Sequence, residues 1–228
     1  MNQRRTAWRR RQFLRATGAS AGLLVTPSVA LAAGDCTATP STEDGPLYPA
    51  TDIPWTHDLT RVPGRSGRAT GQVVYLFGEV MDVACQPVAD ATVEIWQADH
   101  RGYYKHPRHS APLGLDPFFG YFGRVRADHL GRYRLTTIVP SWYRIFDIER
   151  AAHIHIKVRS PQNGVFTSEV YFAGDDQDSK RATDPVFQSR RNKEQLIIDT
   201  ASAVADFGRD VPREDGAAYC RFDVAYRL

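Results

Sequence analysis

From Ala151 to Val158 the chain reads Ala-Ala-His-Ile-His-Ile-Lys-Val. Alternation of this kind fits a β-strand, whose successive side chains leave opposite faces. Ile154 and Ile156 then point into a core, while His153 and His155 share the other face. Two strand rises put their Cβ atoms about 6.5–7 Å apart. Two nitrogens on one metal ion lie roughly 3 Å apart, so rings that lean toward each other can share an ion. The alternative is a pair of structural histidines, and the tripeptide alone leaves both open.

The rest of the chain predicts an all-β sandwich. Strand patterns cover Gly71–Asp82, Ala91–Ala98, Gly123–Ala127, Gly131–Val139, the histidine stretch, Val165–Ala173, Glu194–Asp199 and Tyr219–Leu228. Turn residues separate them at short intervals, and helical periodicity is almost missing. Asp99–Phe122 is a long loop, rich in aromatics and therefore expected to be ordered and functional. Ser141–Arg150 is a connection, and 174–194 a polar loop with room for a short helix. Five prolines make 33–70 an irregular segment ahead of a domain over 71–228.

Residues 1–32 read as a twin-arginine export signal. Arg10-Arg11-Gln12-Phe13-Leu14 precedes a modestly apolar run that ends at Ala30-Leu31-Ala32. The run is too short and too rich in Gly, Ser and Thr for a comfortable span, so a periplasmic or secreted protein with no stable membrane span is expected. The formal charge of +3 depends on this segment. Removing its six arginines leaves 23 basic side chains against 26 acidic ones, so nucleic acid is not an expected partner. Cys36, Cys85 and Cys220 permit one disulfide and leave one thiol over, with three pairings open.

Which metal suits a His-x-His face here? No acid flanks the pair at facial-triad or zincin spacing, and a Cys-x-x-Cys motif is missing. The neighbouring segments offer phenols instead: Tyr103, Tyr104 and Tyr143. Ionising a free phenol at pH 7 costs about 4 kcal/mol. A strongly Lewis-acidic ion such as Fe(III) supplies that, whereas magnesium and calcium prefer carboxylates. Zinc or copper bound through His153 and His155 remains a second reading.

Several stretches occur in the order of the intradiol ring-cleavage dioxygenases, which the chain resembles. They are Val93–Asp99, Gly102–His106, Gly131–Pro140, His153–His155 and Tyr171–Asp175, with Gly45-Pro46-Leu47-Tyr48 ahead of them. The resemblance covers about residues 42–177, and the order of the motifs makes it specific. It implies a non-haem ferric ion held by Tyr104, Tyr143, His153 and His155, with Tyr143 displaced by substrate. Arg150 then faces the substrate and stabilises its developing negative charge; the alternative for Arg150 is a surface ion pair. Tyr48 and Glu169 are candidate pocket residues, and Tyr103 is only a neighbour.

The implied reaction opens a catechol between its two hydroxylated carbons, with both atoms of O2 inserted, to give a cis,cis-muconate. Protocatechuate, catechol, hydroxyquinol or larger lignin-derived catechols are the implied substrates, and homo- or hetero-oligomers are compatible. Two residues depart from the pattern. Ser141 stands where the family usually has glycine, and Glu169 where the protocatechuate enzymes have glutamine. An ionised Glu169 facing the cavity is expected to repel a carboxylated ring. These departures motivate a further alternative, a non-catalytic binding module on the same scaffold.

Overall fold

The computed structural model describes residues 36–162, 164–199 and 213–227, which fall in one unit, Ala33–Leu228. The expected export signal at 1–32 and the turns at Gly208 and Pro212 lie outside the described residues.

Strands dominate, as the alternation requires. The order is β1 (Val73–Asp82), β2 (Thr92–Gln97), β3 (Phe122–Arg126), β4 (Arg132–Ile138), β5 (Tyr143–Ile145), β6 (Ile148–Arg150), β7 (His153–Arg159) and β8 (Val165–Phe172). Helices α1 (Asp175–Thr183) and α2 (Pro185–Gln188) follow, then a 3-10 turn (Lys193–Leu196), β9 (Ile197–Ile198), β10 (Ala218–Arg221) and β11 (Val224–Tyr226). One sheet centres on β1, with β4 antiparallel on one edge and β10 and β11 parallel along the other. The second runs β3-β2-β7-β8-β9. The expected all-β class is borne out.

The inner faces of the two sheets form one apolar cluster. Ile95, Ile154, Ile156 and Val170 from the second sheet join Val74, Leu76 and Leu135 from the first, all fully buried. Gln97 ties the sheets within this core. It accepts from Thr137 Oγ1 at 2.7 Å and donates to the Ile138 carbonyl at 2.9 Å. A buried amide paired on both ends avoids the cost of stranded polar atoms.

Four local expectations are corrected. Tyr219–Leu228 is not one strand: Asp223 Oδ1 accepts from Glu79 N of β1 at 2.9 Å, and this side chain takes the place of a β1 ladder bond at the break that separates β10 from β11. At this break the Phe222 carbonyl crowds Gly78, where a Cβ would lie 1.9 Å from the oxygen. Glu194–Asp199 is mostly the 3-10 turn, with only β9 extended. The polar loop over 174–194 holds two helices, because Asp184 N-caps α2 and Pro185 opens it. Ser141–Arg150 contains the β5–β6 hairpin.

The irregular N-terminal segment is tied to the sandwich. Cys36 pairs with Cys85 at the end of the β1 turn, and Cys220 is a buried free thiol. Asp44 binds Lys157 and Thr167, which holds the Thr42–Leu47 strap over the histidine face.

Candidate metal centre

Strand register assembles the site. On the outer face of the second sheet, Trp96 on β2 lies opposite His155 on β7, and His155 lies opposite Glu169 on β8. One pleat along, His153 faces Tyr171. Residues opposite one another in adjacent strands share a face. His153 Nε2 and His155 Nε2 are 3.2 Å apart, close to the separation expected for two nitrogens on one ion. His153 Nδ1 lies 2.7 Å from the Ala151 carbonyl, which assigns the proton to Nδ1 and leaves a lone pair on Nε2. Trp96 stacks on the His155 ring, 4.6 Å between centroids and 3° between planes, and fixes its plane.

The two tyrosines arrive on loops. Asp99, fully buried, organises the first: its Oδ1 accepts from Arg101 N and Tyr103 N, and its Oδ2 from the Tyr121 hydroxyl. Gly102 lets this loop meet the segment before β5. Its φ is +83°, and a Cβ there would lie 2.3 Å from the Trp142 carbonyl. His109 fastens both loops, accepting from Tyr104 N through Nδ1 at 3.2 Å and meeting the Arg144 carbonyl through Nε2 at 3.2 Å. As a result Tyr104 and Tyr143 pack edge to face with ring centroids 4.9 Å apart. Tyr143 Oη lies 3.5 Å from His153 Nε2. Tyr103 remains outside this group, beside His109.

Arg150 is buried, which overturns the surface ion-pair alternative. Its Nε donates to both oxygens of Asp184, at 3.2 and 3.1 Å. One terminal nitrogen donates to Glu169 Oε1 at 3.0 Å and to the Tyr171 hydroxyl at 3.0 Å. The other lies 3.5 Å from Tyr143 Oη. Asp184 also accepts from Ala151 N at 2.9 Å, so the α2 cap sets the entry to the histidine strand.

A cavity of about 500 Å³ opens onto this group, lined among others by Thr42, Leu47, Tyr143, Arg150, His155 and Glu169. That volume suits a small ring. Tyr48, expected in the pocket, is not in its lining. The Tyr48 hydroxyl instead donates to the buried Glu94 at 2.8 Å, and its ring packs on Trp96 behind His155. The reach from the strap to Glu94 turns it away from the cavity.

Sequence reasoning missed Asp99, His109, Tyr171, Asp184 and Arg190. Asp99 had a readable signal, an Asp opening a turn three residues before glycine. The partner of Arg150, 34 residues away, had none. The acid beside the histidines is not on their own strand. Glu169 comes from the adjacent strand, and ligand atoms of His153, His155 and Glu169 all lie within 4.8 Å of one another.

Burial sets the protonation of the ligand-type residues. It pushes the Tyr104 phenol well above its usual range. Tyr143 is pushed up to about 12, with Arg150 opposing. His153 is lowered to about 4, by burial first and by Arg150 second. His155 is also held well below its usual range by burial. Burial opposes ionisation of Glu169, yet the Arg150 guanidinium holds its carboxyl below the ordinary range.

A pH dependence follows. An unfolded histidine titrates near 6.5 and folded His153 at about 4, so the unfolded state binds more protons between those values. The stability is fully present above pH 6.5 and falls by roughly 3 kcal/mol toward pH 4 from this residue alone. The depressed Glu169 adds to the loss at lower pH. The melting temperature of metal-free protein is expected to drop between pH 6.5 and 4. A flat profile would contradict a neutral, buried His153.

Do the residues present fit an iron ion? Tyr104 Oη is buried without a hydrogen-bond partner among the described residues. An orphaned buried phenol beside two converging imidazole nitrogens is what a ligand set looks like without its ion.

A family model described as Dioxygenase (Dioxygenase_C) matches residues 43–226. The chain belongs to the dioxygenase family. This dioxygenase is 34% identical over 191 residues to the protocatechuate 3,4-dioxygenase beta chain of Burkholderia cepacia, covering 80% of this chain and 76% of the relative. It is 31% identical over 152 residues to the catechol 1,2-dioxygenase of Acinetobacter baylyi, covering 60% of this chain and 47% of the relative. The chain thus spans about half the length of that second relative. Among solved structures, catechol 1,2-dioxygenase from Acinetobacter sp. matches with a TM-score of 0.59 and 25% identity, over 84% of this chain and 63% of that one. The intradiol ring-cleavage class expected for this dioxygenase is borne out by these relatives.

Proposed function

We propose that the chain opens a catechol between its two hydroxylated carbons, using a ferric ion held by Tyr104, Tyr143, His153 and His155. The reading rests on one observation: Tyr143 Oη, His153 Nε2 and His155 Nε2 form a continuous group with steps of 3.5 and 3.2 Å, beside the orphaned Tyr104 hydroxyl. Bound there, ferric iron supplies a trivalent Lewis acid that ionises phenols and holds a catecholate as a chelate. Both imidazoles are neutral at pH 7 and offer lone pairs. Tyr143 lines the cavity, and its buried oxygen favours the protonated form, so Tyr143 Oη can receive a proton from the incoming catechol. Arg150, reaching the cavity from β6, turns its remaining terminal nitrogen toward Tyr143 and there stabilises negative charge that develops on the ring. Leu47 and Ile145 on the walls limit water.

The partners in this reading are a catecholic ring and O2. Export by the twin-arginine route to the periplasm or beyond belongs to the same proposal. It is supported by the Arg10-Arg11 pattern and by a disulfide, which persists in oxidising compartments. Among the described residues no helix is long and apolar enough to cross a membrane.

A second reading is favoured by Glu169: His153, His155 and Glu169 supply a two-histidine, one-carboxylate set suited to a divalent ion such as zinc or copper. Colour and metal analysis separate the two. Purified protein is expected to be wine-red from tyrosinate-to-iron charge transfer, to carry iron, and to open catechol. Protein that carries zinc or copper in place of iron and does not open catechol would overturn the ferric reading. His155→Ala is expected to lose iron by more than about tenfold, since even supporting contacts of a metal ligand are worth 10–100-fold. Undiminished iron content in that variant would remove His155 from the set.

A further inference from the structure

The inner wall of the cavity carries an arginine pair whose charge is cancelled from within the fold. Arg150 and Arg190 both line the cavity, and Glu169 lies between them. Glu169 Oε1 accepts from Arg150 at 3.0 Å, and Glu169 Oε2 accepts from the Tyr171 hydroxyl at 2.8 Å and from Arg190 at 3.4 Å. Asp184 takes the remaining edge of Arg150. Two guanidinium groups thus face two carboxylates, and the cluster is neutral as a whole. Glu43 adds a carboxylate at the cavity lining, but it is exposed and screened by solvent. Arg190 also reaches Thr42 on the strap, while its Nε is buried without a hydrogen-bond partner among the described residues.

Take away the Glu169 charge and the same wall becomes a cationic pocket with one unbalanced guanidinium. A ring bearing a carboxylate would then find a counter-ion within the cavity. With Glu169 in place, that guanidinium is already satisfied, and a carboxylate must be desolvated without gaining a partner. The expected naked repulsion is thereby refined. Glu169 acts chiefly by withholding the arginines, and adds its own repulsion to what they leave uncancelled.

We propose that Glu169 is a specificity-determining residue, which neutralises the Arg150–Arg190 wall and so selects catechols with uncharged substituents over carboxylated ones. This rests on the reading that the cavity takes a catechol. Specificity is a difference of affinities, and here it is set by an attraction that has been switched off.

The test uses iron-loaded full-length protein titrated with protocatechuate and with 4-methylcatechol. Binding is read from the change in the visible charge-transfer band, and turnover is read separately as kcat/KM. Wild-type protein is expected to bind protocatechuate at least about tenfold more weakly than 4-methylcatechol, the scale of one unpaired buried charge near a cavity. Glu169→Gln is expected to move that ratio toward protocatechuate by at least about tenfold. Glu169→Asp, which keeps the charge, is expected to retain most of the wild-type ratio. Adding Arg190→Gln to Glu169→Gln is expected to cancel the gain, because the freed counter-ion is gone.

Equal binding of the two rings to wild-type protein overturns the inference, as does an unchanged ratio in Glu169→Gln. If neither ring perturbs the band and neither is turned over, the catechol reading itself falls and takes this inference with it. A ratio that shifts in Glu169→Gln and returns in the double variant supports it in a way that simple loss of packing would not.

Discussion

Tyr104→Phe is expected to abolish ring opening while leaving the metal-free protein as stable as before, or more so. The two halves of that result have one cause. The Tyr104 side chain is buried, and its hydroxyl lacks a hydrogen-bond partner among the described residues. A stranded buried hydroxyl costs about 1–3 kcal/mol, and phenylalanine fills the same space without it. The oxygen therefore carries a cost in the folded chain that the proposed ligand role would offset. Were the proposed trivalent ion bound, two phenolates would offset two of its charges, and removing one would leave an under-compensated ion with a shifted, weaker visible band. Turnover is expected to fall by more than about a hundredfold, the upper end of what losing a ligand's mere supporting contact costs. Thermal unfolding of metal-free protein, the visible spectrum and catechol turnover check the three parts. Undiminished turnover removes Tyr104 from the mechanism. A melting temperature several degrees lower in the metal-free state shows instead that the hydroxyl is structurally satisfied.

The sequence made the histidine strand legible because a strand reports its faces through a period of two. Ile154 and Ile156 do lie in the core, and His153 and His155 do share the opposite face. The same logic read β1, β2 and β8 closely. It failed where side chains replace backbone partners, as at Asp223 between β10 and β11, and where a cap decides a helix, as Asp184 does for α2. Tyr48 was misplaced for a related reason: local spacing puts it on the strap, but its partner Glu94 lies on β2. Glu169 was noticed as a departure, yet its pairing with Arg150 depends on the β7–β8 register and the β6 approach, which local sequence does not encode.

Arg150→Ala is expected to destabilise metal-free protein by about 3–5 kcal/mol, apart from any effect on catalysis. The surface ion-pair alternative predicts at most about 1 kcal/mol. Burial decides between them. The Arg150 side chain is 8% exposed, and its partners Glu169 and Asp184 are 3% and 0% exposed. Deleting the guanidinium removes the buried counter-charge of Asp184 and the nearer of two counter-charges of Glu169, which keeps Arg190 and the Tyr171 hydroxyl. The loss is dominated by desolvated charge left under-compensated, above all at Asp184, and it exceeds what the intact pair contributes to stability. Pairing Arg150→Ala with Glu169→Gln is therefore expected to recover part of the loss, since one under-compensated charge is removed. Arg144→Ala provides the contrast. Its pair with Glu149 is 62% and 36% exposed, and only a marginal change is expected there. Denaturant unfolding of the four proteins measures all of this before iron is added. A cost for Arg150→Ala no larger than that for Arg144→Ala would mean that Glu169 and Asp184 find water or protons when the arginine leaves. In that case the neutral wall drawn for the cavity would not hold.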